Sequence, residues 1–197
     1  GAGKSTTLKT FLGLMKASSG SATVLGHNAS TQPNQVQKSV AYLPESVTLY
    51  GHLSGVENIR YFLSVAGVDK SDDDMFAALR KVALQEDSWN KALSNYSKGM
   101  RQKVGVAIAL AKQAKALLLD EPTEGIMPKL VASLRDEIRA INDSGVSILF
   151  VEQNIRAALA VCSRVYIMEK GAICHETSTE DLRANPDVIH RYLGVSI

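Results

Sequence analysis

The first six residues of the chain restrict its fold more than any later segment. They read Gly1-Ala2-Gly3-Lys4-Ser5-Thr6 and match the end of the pattern G-x-x-x-x-G-K-[ST]. Glycines let backbone N–H groups turn inward around a phosphate, and the N-terminus of the following helix adds partial positive charge. We therefore expect Lys4 to reach the β- and γ-phosphates of a nucleotide and the Ser5 hydroxyl to ligate Mg²⁺. The segment alone leaves a second interpretation open, a glycine-rich turn beside a surface lysine.

The start of the chain falls inside this pattern. The first glycine of the pattern and the two positions after it would precede residue 1, and the chain does not begin with Met. We therefore expect the sequence to be a fragment that is truncated at its N-terminus.

A second polar feature follows an apolar run in the middle of the chain. Leu117-Leu118-Leu119 is typical of a buried strand, and the carboxylates of Asp120 and Glu121 come directly after it. Ligands collect where the strands of open α/β sheets end, so Asp120 is expected to hold Mg²⁺ through water. Glu121 is expected to polarise an attacking water or to accept its proton. For the pair alone, a capped strand end with solvated charges remains an alternative.

Composition excludes several classes of protein. The 22 basic and 20 acidic side chains leave a formal charge of +2, which lacks the positive excess of a nucleic-acid-binding protein. The longest apolar runs, Val104–Ala111 and Ile148–Val151, are far shorter than the ~18–20 residues of a spanning helix. Any membrane role is therefore expected to come through a partner. Cys162 and Cys174 are expected to be reduced thiols, and the histidines show no metal-ligand spacing.

Apolar periodicity predicts an α/β fold with a largely parallel sheet, because strands alternate with helices in the second half of the chain. The run Asp72-Asp73-Asp74 is interpreted as the first turn of a helix capped by Ser71 rather than as a metal site, because the helix dipole favours acids there. The other predicted helices are 4–15, 56–65, 99–112, 129–142, 154–161, 180–184 and 187–193. The predicted strands are 22–25, 40–43, 116–119, 146–151, 164–168 and 172–175.

The segment 93–102 resembles the signature of the ATP-binding-cassette (ABC) transporter ATPases. That signature is usually Leu-Ser-Gly-Gly-Gln, and Tyr96-Ser97-Lys98-Gly99-Met100 is similar to it. Taken alone, these five residues also fit an ordinary helix start. The order of phosphate loop, signature and acid pair matches the family as well, and the resemblance covers essentially the whole chain. It implies that Ser97 and Gly99 bind the γ-phosphate of an ATP held by a second subunit, so that two ATPs lie at a dimer interface.

Other positions acquire roles from the same resemblance. Glu45 stands where the family usually has a glutamine that contacts Mg²⁺ and the attacking water. Gln153 stands where the family usually has a histidine that contacts the γ-phosphate; an amide donates a hydrogen bond but carries no positive charge. An ordinary surface position is the alternative for Gln153. Met127 replaces the usual aspartate and cannot accept hydrogen bonds across the dimer. Val47–Glu57 resembles the stretch that meets the membrane subunit, with ordinary surface as the alternative.

Two subfamilies are recognisable within the chain. Up to about residue 123, the segments 42–45 and 96–102 resemble exporter-type ATPases, including those that serve copper-site assembly in nitrous oxide reductase maturation. From residue 124 on, the segments 124–128 and 151–154 resemble the ATPases of branched-chain amino-acid importers. Recombination or a join made in assembling the sequence would explain the pattern, so the resemblance does not name a transported substrate.

The resemblance implies a single nucleotide-binding domain over residues 1–197. Its core is a P-loop NTPase fold, a parallel sheet flanked by helices, with a helical subdomain at 45–112 and with the N-terminal strands missing. ATP and Mg²⁺ are the implied cofactors. The implied catalytic residues are Glu121, Gln153 and Glu45; the phosphate-binding residues are Gly1, Ala2, Gly3, Lys4, Ser5, Thr6, Ser97 and Gly99; and the metal-binding residues are Ser5, Asp120 and Glu45.

The implied function is ATP hydrolysis by a dimer of ATPase subunits, coupled to transport by a membrane-spanning permease. Such a protein is peripheral, lies on the cytoplasmic face of the membrane and needs no nucleic acid. Two alternatives stay open. The chain could dimerise on nucleotide with little hydrolysis, or it could be a non-transport ATPase of the same superfamily.

Overall fold

Strand β4 (Ala116–Asp120) lies at the centre of a parallel sheet, between β3 (Val40–Leu43) and β5 (Ser147–Val151). Because the strands are parallel, their carboxyl ends meet at one edge of the sheet, where Asp120 pairs with Val151. The computed structural model describes residues 2–126 and 128–193. Within them, this sheet and the helices around it confirm the predicted α/β fold.

Helices connect and cover the strands. The helices are α1 (Lys4–Phe11), α2 (Pro33–Ser39), α3 (Gly55–Val65), α4 (Asp72–Lys81), α5 (Lys98–Ala111), α6 (Pro128–Asp143), α7 (Ile155–Val161), α8 (Thr179–Ala184) and α9 (Pro186–Leu193). Short 3₁₀ turns occupy Glu86–Ser88 and Leu93–Asn95. The remaining strands are β1 (Thr23–Val24), β2 (His27–Asn28), β6 (Arg164–Glu169) and β7 (Ala172–Ser178).

The side chains of β4 alternate between two apolar cores. Leu117 and Leu119 belong to the larger core, which residues of α3, α4, α5 and α6 complete. Ala116 and Leu118 belong to a smaller core with residues of α1 and α2. Successive residues of a strand point to opposite faces, so each face of β4 is covered by helices. This two-sided burial explains why β4 is a continuous apolar run in the sequence.

The chain between β3 and β4 forms α3, α4, α5 and the two 3₁₀ turns. Ser54 and Ser71 begin α3 and α4 through capping boxes, in which the serine hydroxyl and the side chain three residues later satisfy each other's backbone N–H groups. The predicted cap at Ser71 is thus confirmed. Trp89 is buried in this region, where its ring stacks on Phe76 and its Nε1 donates to the Leu84 carbonyl at 2.9 Å.

The N-terminal elements differ from the predicted ones. Helix α1 ends at Phe11 rather than near Met15, because the backbone turns at Gly13 (φ +69°) and Met15 is exposed with no apolar surface to cover. The predicted strand 22–25 is shorter and pairs with β2 as a hairpin that was not predicted. A helix that was also not predicted, α2, begins at Pro33 immediately before β3, and proline suits the first turn of a helix.

Strand β5 is only half covered, although the sequence predicts a buried strand. Leu149 is 36% exposed. In the described ranges β5 pairs with β4 alone, and its other side faces a groove of about 1010 Å³ that β6 and α1 also line. Burial of an apolar strand depends on what packs against its second side, and the strand's own residues do not specify that.

Strands β6 and β7 form an antiparallel hairpin, and α7, α8 and α9 enclose a small third core of Leu159, Leu182 and Ile189. The predicted strand 172–175 extends three residues further, to Ser178. Among the residues described, no helix combines the length and apolar character needed to cross a membrane.

Candidate functional site

The turn before α1 passes close to the backbone around Gly171. Gly3 precedes the helix with φ +91°, and no side chain caps the first turn of α1. A Cβ on Gly3 would lie 3.2 Å from the Cα of Gly171, whose N–H donates to the Ala2 carbonyl at 2.9 Å. The first N–H groups of a helix have no partner within it, and no acidic residue lies in the first turn of α1. This helix start, with Ser5 and Thr6 exposed, can therefore receive an anion.

Two of the predicted site residues, Lys4 and Gln153, contact the carboxylate of a third, Glu121. The Nζ of Lys4 lies 3.1 Å from Oε1 of Glu121, and Nε2 of Gln153 donates to Oε2 of Glu121 at 2.7 Å. Lys4 is the first residue of α1, Glu121 directly follows β4, and Gln153 lies two residues after β5. Although Gln153 is exposed, its amide is directed at Glu121.

The backbone of Glu121 holds its side chain in place. Its φ of +48° is unusual for a residue other than glycine, and its N–H donates to the Val151 carbonyl at 2.9 Å, continuing the pairing of β4 with β5. Burial alone raises the Glu121 pKa, but hydrogen bonds from Glu124, Gln153 and Lys4 together outweigh it, so the net pKa is lowered. Glu121 is therefore held as a carboxylate at neutral pH.

Asp120 is buried beside this carboxylate. Its Oδ2 accepts a hydrogen bond from the Tyr42 hydroxyl at 3.2 Å, while no partner for its buried Oδ1 exists within the described residues. Burial, together with the charge of Asp120 and this hydrogen bond, raises the pKa of Tyr42 to about 12. A buried oxygen without a partner is uncommon in proteins, and it fits a site for a hydrated cation.

Glu45 and Glu124 add two further carboxylates. One oxygen from each of Glu45, Glu121 and Glu124 can be chosen so that all three lie within 4.8 Å of one another. The pKa of Glu124 is raised, mainly by its hydrogen bond to Glu121 and then by the charge of Glu45. As a cluster of oxygen donors, these residues suit Mg²⁺ more than a softer metal.

Glu152 and Thr123 belong to the same edge, and the sequence reasoning missed them. Oε2 of Glu152 accepts from the Thr123 hydroxyl at 2.6 Å, and its Oε1 accepts from the N–H groups of Gln153 at 2.9 Å and Asn154 at 3.1 Å. Glu152 therefore connects two loops: the one that carries Gln153 and the one that follows Glu121. Its position directly after β5, beside the other strand ends, was the signal that could have identified it.

The predicted signature residues lie at the start of α5. Ser97 is exposed, and its Oγ accepts from the N–H of Met100 at 3.2 Å, which caps the helix. Gly99 is buried. In the part of the chain that the structure describes, Ser97 and Gly99 make no hydrogen bond to Lys4 or Glu121. The structure therefore brings Lys4, Glu45, Asp120, Glu121 and Gln153 to one edge, and it leaves Ser97 and Gly99 apart from them. Gly1 and Met127 lie outside the described residues.

Comparison with known proteins identifies the family of the chain. The family model described as ABC transporter matches residues 1–124. The chain is 33% identical to the uncharacterized ABC transporter ATP-binding protein YdbJ of Bacillus subtilis over 91% of its own length, but it spans only 58% of that relative. It is 32% identical to the high-affinity branched-chain amino acid transport ATP-binding protein BraG of Pseudomonas aeruginosa, over 98% of this chain and 84% of BraG.

The fold leads to the same family. A solved structure of an ATP-binding subunit of an ABC transporter superposes with a TM-score of 0.78 at 27% identity, over 99% of this chain and 80% of that one. The family match covers the phosphate loop, the signature segment and the acid pair. The chain therefore belongs to the ABC transporter family, as one of its ATP-binding ATPase domains.

Proposed function

We propose that the protein binds and hydrolyses ATP as a subunit of an ABC membrane transporter. The observation that carries the proposal is the position of Glu121, which lies at the end of β4 between the ammonium of Lys4 and the amide of Gln153. A carboxylate held in this way beside a phosphate-binding loop suits the activation of water against a terminal phosphate.

ATP binding is assigned to the loop before α1. Residues 1–6, from Gly1 to Thr6, supply backbone N–H groups and the helix N-terminus to the phosphates. Lys4 pairs with the β- and γ-phosphates, which means that its ammonium turns from Glu121 toward the nucleotide. Glu121 keeps its hydrogen bonds with Gln153 and Glu124 when this happens. We propose the same domain over residues 1–197, with 45–112 as its helical subdomain.

Mg²⁺ is the proposed metal, with Ser5, Asp120 and Glu45 as its ligands or as ligands of its water. The buried Oδ1 of Asp120, which lacks a partner in the described ranges, supports the assignment, as does the position of Glu45 in a cluster of carboxylate oxygens with Glu121 and Glu124. Bound Mg²⁺ supplies charge neutralisation at the β- and γ-phosphate oxygens.

Hydrolysis is assigned to Glu121, with Gln153 and Glu45 beside it. Water attacks the γ-phosphorus while the bond to the β–γ bridging oxygen breaks, and Glu121 takes the proton that the water loses. Gln153 donates to the Glu121 carboxylate and so orients it. Glu45 lies within the same carboxylate cluster and is placed to hold the attacking water.

A second subunit completes each site in this proposal. Ser97 and Gly99 stand apart from Lys4 within one chain, as expected if they act on the ATP of a partner subunit. The permease is proposed to contact residues 47–57 and the adjoining surface, where Tyr50 and Tyr61 are 41% and 42% exposed and hydrogen-bond through their hydroxyls at 3.0 Å. Such a subunit lies on the cytoplasmic face of the membrane and is held there by the permease.

The test compares the parent protein with Glu121→Gln in Mg²⁺-dependent ATP hydrolysis, ATP binding and dimer mass. We expect the parent to hydrolyse ATP and the variant to bind ATP but to lose about 10²- to 10⁴-fold in rate and to accumulate as a dimer. A parent that dimerises on ATP without hydrolysing it would replace this proposal with a nucleotide-dependent dimerisation module. In that case Gln153, whose amide cannot become a cation, is the first position to change, to histidine.

A further inference from the structure

One face of α5 lies against the loops that carry the carboxylate cluster. Lys98, Gln102 and Gly105 share this face, because residues four and then three apart are neighbours on a helix surface. A Cβ placed on Gly125, in the loop after β4, would lie 3.2 Å from Nζ of Lys98. Gln102 contacts the backbone of Glu45, in the loop after β3. Helix α5, which Ser97 caps, thus contacts both loops that carry the carboxylates.

The amide of Gln102 is bonded to Glu45. Its Nε2 donates to the Glu45 backbone carbonyl at 3.1 Å, and the residue is 1% exposed. Its Oε1 is buried and has no partner among the described residues. An amide with only one end satisfied is poor for stability, since a buried polar atom without a hydrogen bond is costly. Among the described residues, the bond to Glu45 is therefore the contact that fixes the orientation of the Gln102 amide.

Gly105 brings the same segment close to the helix. A Cβ at this position would overlap Cδ1 of Leu43 and lie 3.3 Å from Cγ1 of Val47. These two residues flank Glu45 on either side. The residues 43–47 are therefore held against α5 at three points: the Glu45 carbonyl and the side chains of Leu43 and Val47.

We infer that Gln102 and Gly105 are positioning residues that hold the segment around Glu45 against α5 and so set the position of the Glu45 carboxylate. The inference rests on the proposed function, in which Ser97 binds the ATP of the partner subunit and Glu45 acts at the ATP bound by its own chain. Neither residue touches nucleotide or metal.

The test uses Gln102→Met, which keeps the length and volume of the side chain but removes the donor. Gln37→Met is the matched control, because Nε2 of Gln37 also donates to a backbone carbonyl, that of Leu12, at 3.1 Å but far from the carboxylate cluster. We expect the melting temperature of Gln102→Met to stay within about 2 °C of the parent. The backbone amides of Leu43, Glu45, Ser46 and Val47 should exchange hydrogen faster in this variant, and their exchange should be unchanged in Gln37→Met.

Kinetics then separate positioning from a general structural effect. The Mg²⁺ concentration for half-maximal ATP hydrolysis should rise about five- to tenfold in Gln102→Met, the effect of losing one hydrogen bond. In a Glu45→Ala background, Gln102→Met should cause no further change, because its effect acts through Glu45. Gly105→Ala, which pushes Leu43 and Val47 outward, should shift the Mg²⁺ dependence in the same direction.

Several results would overturn the inference. The inference is contradicted if Gln102→Met has the Mg²⁺ dependence of the parent or if its hydrogen exchange at 43–47 is unchanged. Additive effects of Gln102→Met and Glu45→Ala in the double variant also contradict it. A hydrolysing parent with an unimpaired Glu45→Ala variant also contradicts it and leaves the ATPase proposal intact. A parent that binds ATP without hydrolysing it overturns the proposed function instead, and hydrogen exchange still decides whether Gln102 holds the Glu45 segment.

Discussion

Lys4 and Glu121 form an ion pair in which Nζ of the lysine lies 3.1 Å from Oε1 of the carboxylate. The pair joins the residue proposed to bind phosphate to the residue proposed to activate water. Because both side chains are largely buried, at 26% and 11% exposure, the carboxylate and a phosphate compete for the same ammonium. Binding of a nucleotide is therefore proposed to exchange the carboxylate for a phosphate as the partner of Lys4.

Replacing Lys4 with alanine should weaken ATP binding about 10- to 100-fold, because charged hydrogen bonds to phosphate are lost. Titration calorimetry with ATP checks this. Lys9→Ala is the control, since Lys9 is exposed at the last turn of the same helix. Unchanged affinity in Lys4→Ala would remove the loop before α1 from the binding site.

The pH dependence of hydrolysis should respond to Gln153. Hydrogen bonds from Glu124, Gln153 and Lys4 lower the Glu121 pKa against the opposing effect of burial. Removing the amide in Gln153→Leu takes away one donor, so the Glu121 pKa rises. Hydrolysis needs the carboxylate, so the acidic limb of the pH–rate profile should move to higher pH. The control Gln35→Leu, at an exposed position of α2, should leave the limb unmoved.

The lowered pKa of Glu121 also makes the stability of the folded chain depend on pH. A carboxyl group whose pKa is lower in the folded chain contributes stability above its unfolded pKa, and that stability is lost as the pH falls through the folded pKa. Gln153→Leu should therefore lose this contribution at a higher pH than the parent does. Urea unfolding at several acidic pH values measures it; identical curves for the two proteins would mean that Gln153 does not affect Glu121.

The buried pair Lys103–Glu137 should stabilise the packing of α5 on α6. Their Nζ and Oε1 are 2.7 Å apart, and Nζ also donates to the Ala83 carbonyl at 3.1 Å. Removing one partner leaves a buried charge unpaired, so Lys103→Met or Glu137→Leu should each cost about 3–5 kcal/mol of unfolding free energy. The double variant should recover most of that loss. Urea unfolding gives all four values, and additive losses would show that the pair is not coupled.

Gly3 and Gly145 allow a matched comparison of glycine substitutions. Both have positive φ, +91° and +94°, but a Cβ on Gly3 would crowd Gly171 whereas nothing lies within 4 Å of a Cβ on Gly145. Gly145→Ala should cost about 1–2 kcal/mol from backbone strain alone. Gly3→Ala should cost more, and it should also weaken ATP binding because it displaces Lys4. Equal losses with intact ATP binding in Gly3→Ala would contradict the proposed role of this turn.

Much of the fold was predictable from local sequence. Helices α3, α5 and α6 and strands β3 and β4 lie within one residue of their predicted bounds, because each has a strong apolar pattern. Helix α4 begins directly after Ser71, as the predicted serine cap requires. Helix α1 was predicted too long, since Met15 continues the apolar period of a helix that the turn at Gly13 ends. The hairpin β1–β2 was missed because its strands have only two residues each.

Local sequence specifies the motifs: a glycine turn before Lys4, an apolar strand followed by two carboxylates at Asp120 and Glu121, and a serine cap at the start of α5. These are local features, in which the type and spacing of neighbouring residues specify the backbone. Which side chains meet depends on the tertiary structure. It placed Gln153 and Lys4 on the same carboxylate and bonded Gln102 to the carbonyl of Glu45, 57 positions apart in the chain. Such contacts depend on the order and register of parallel strands and on how helices pack across them, and no local pattern contains that information.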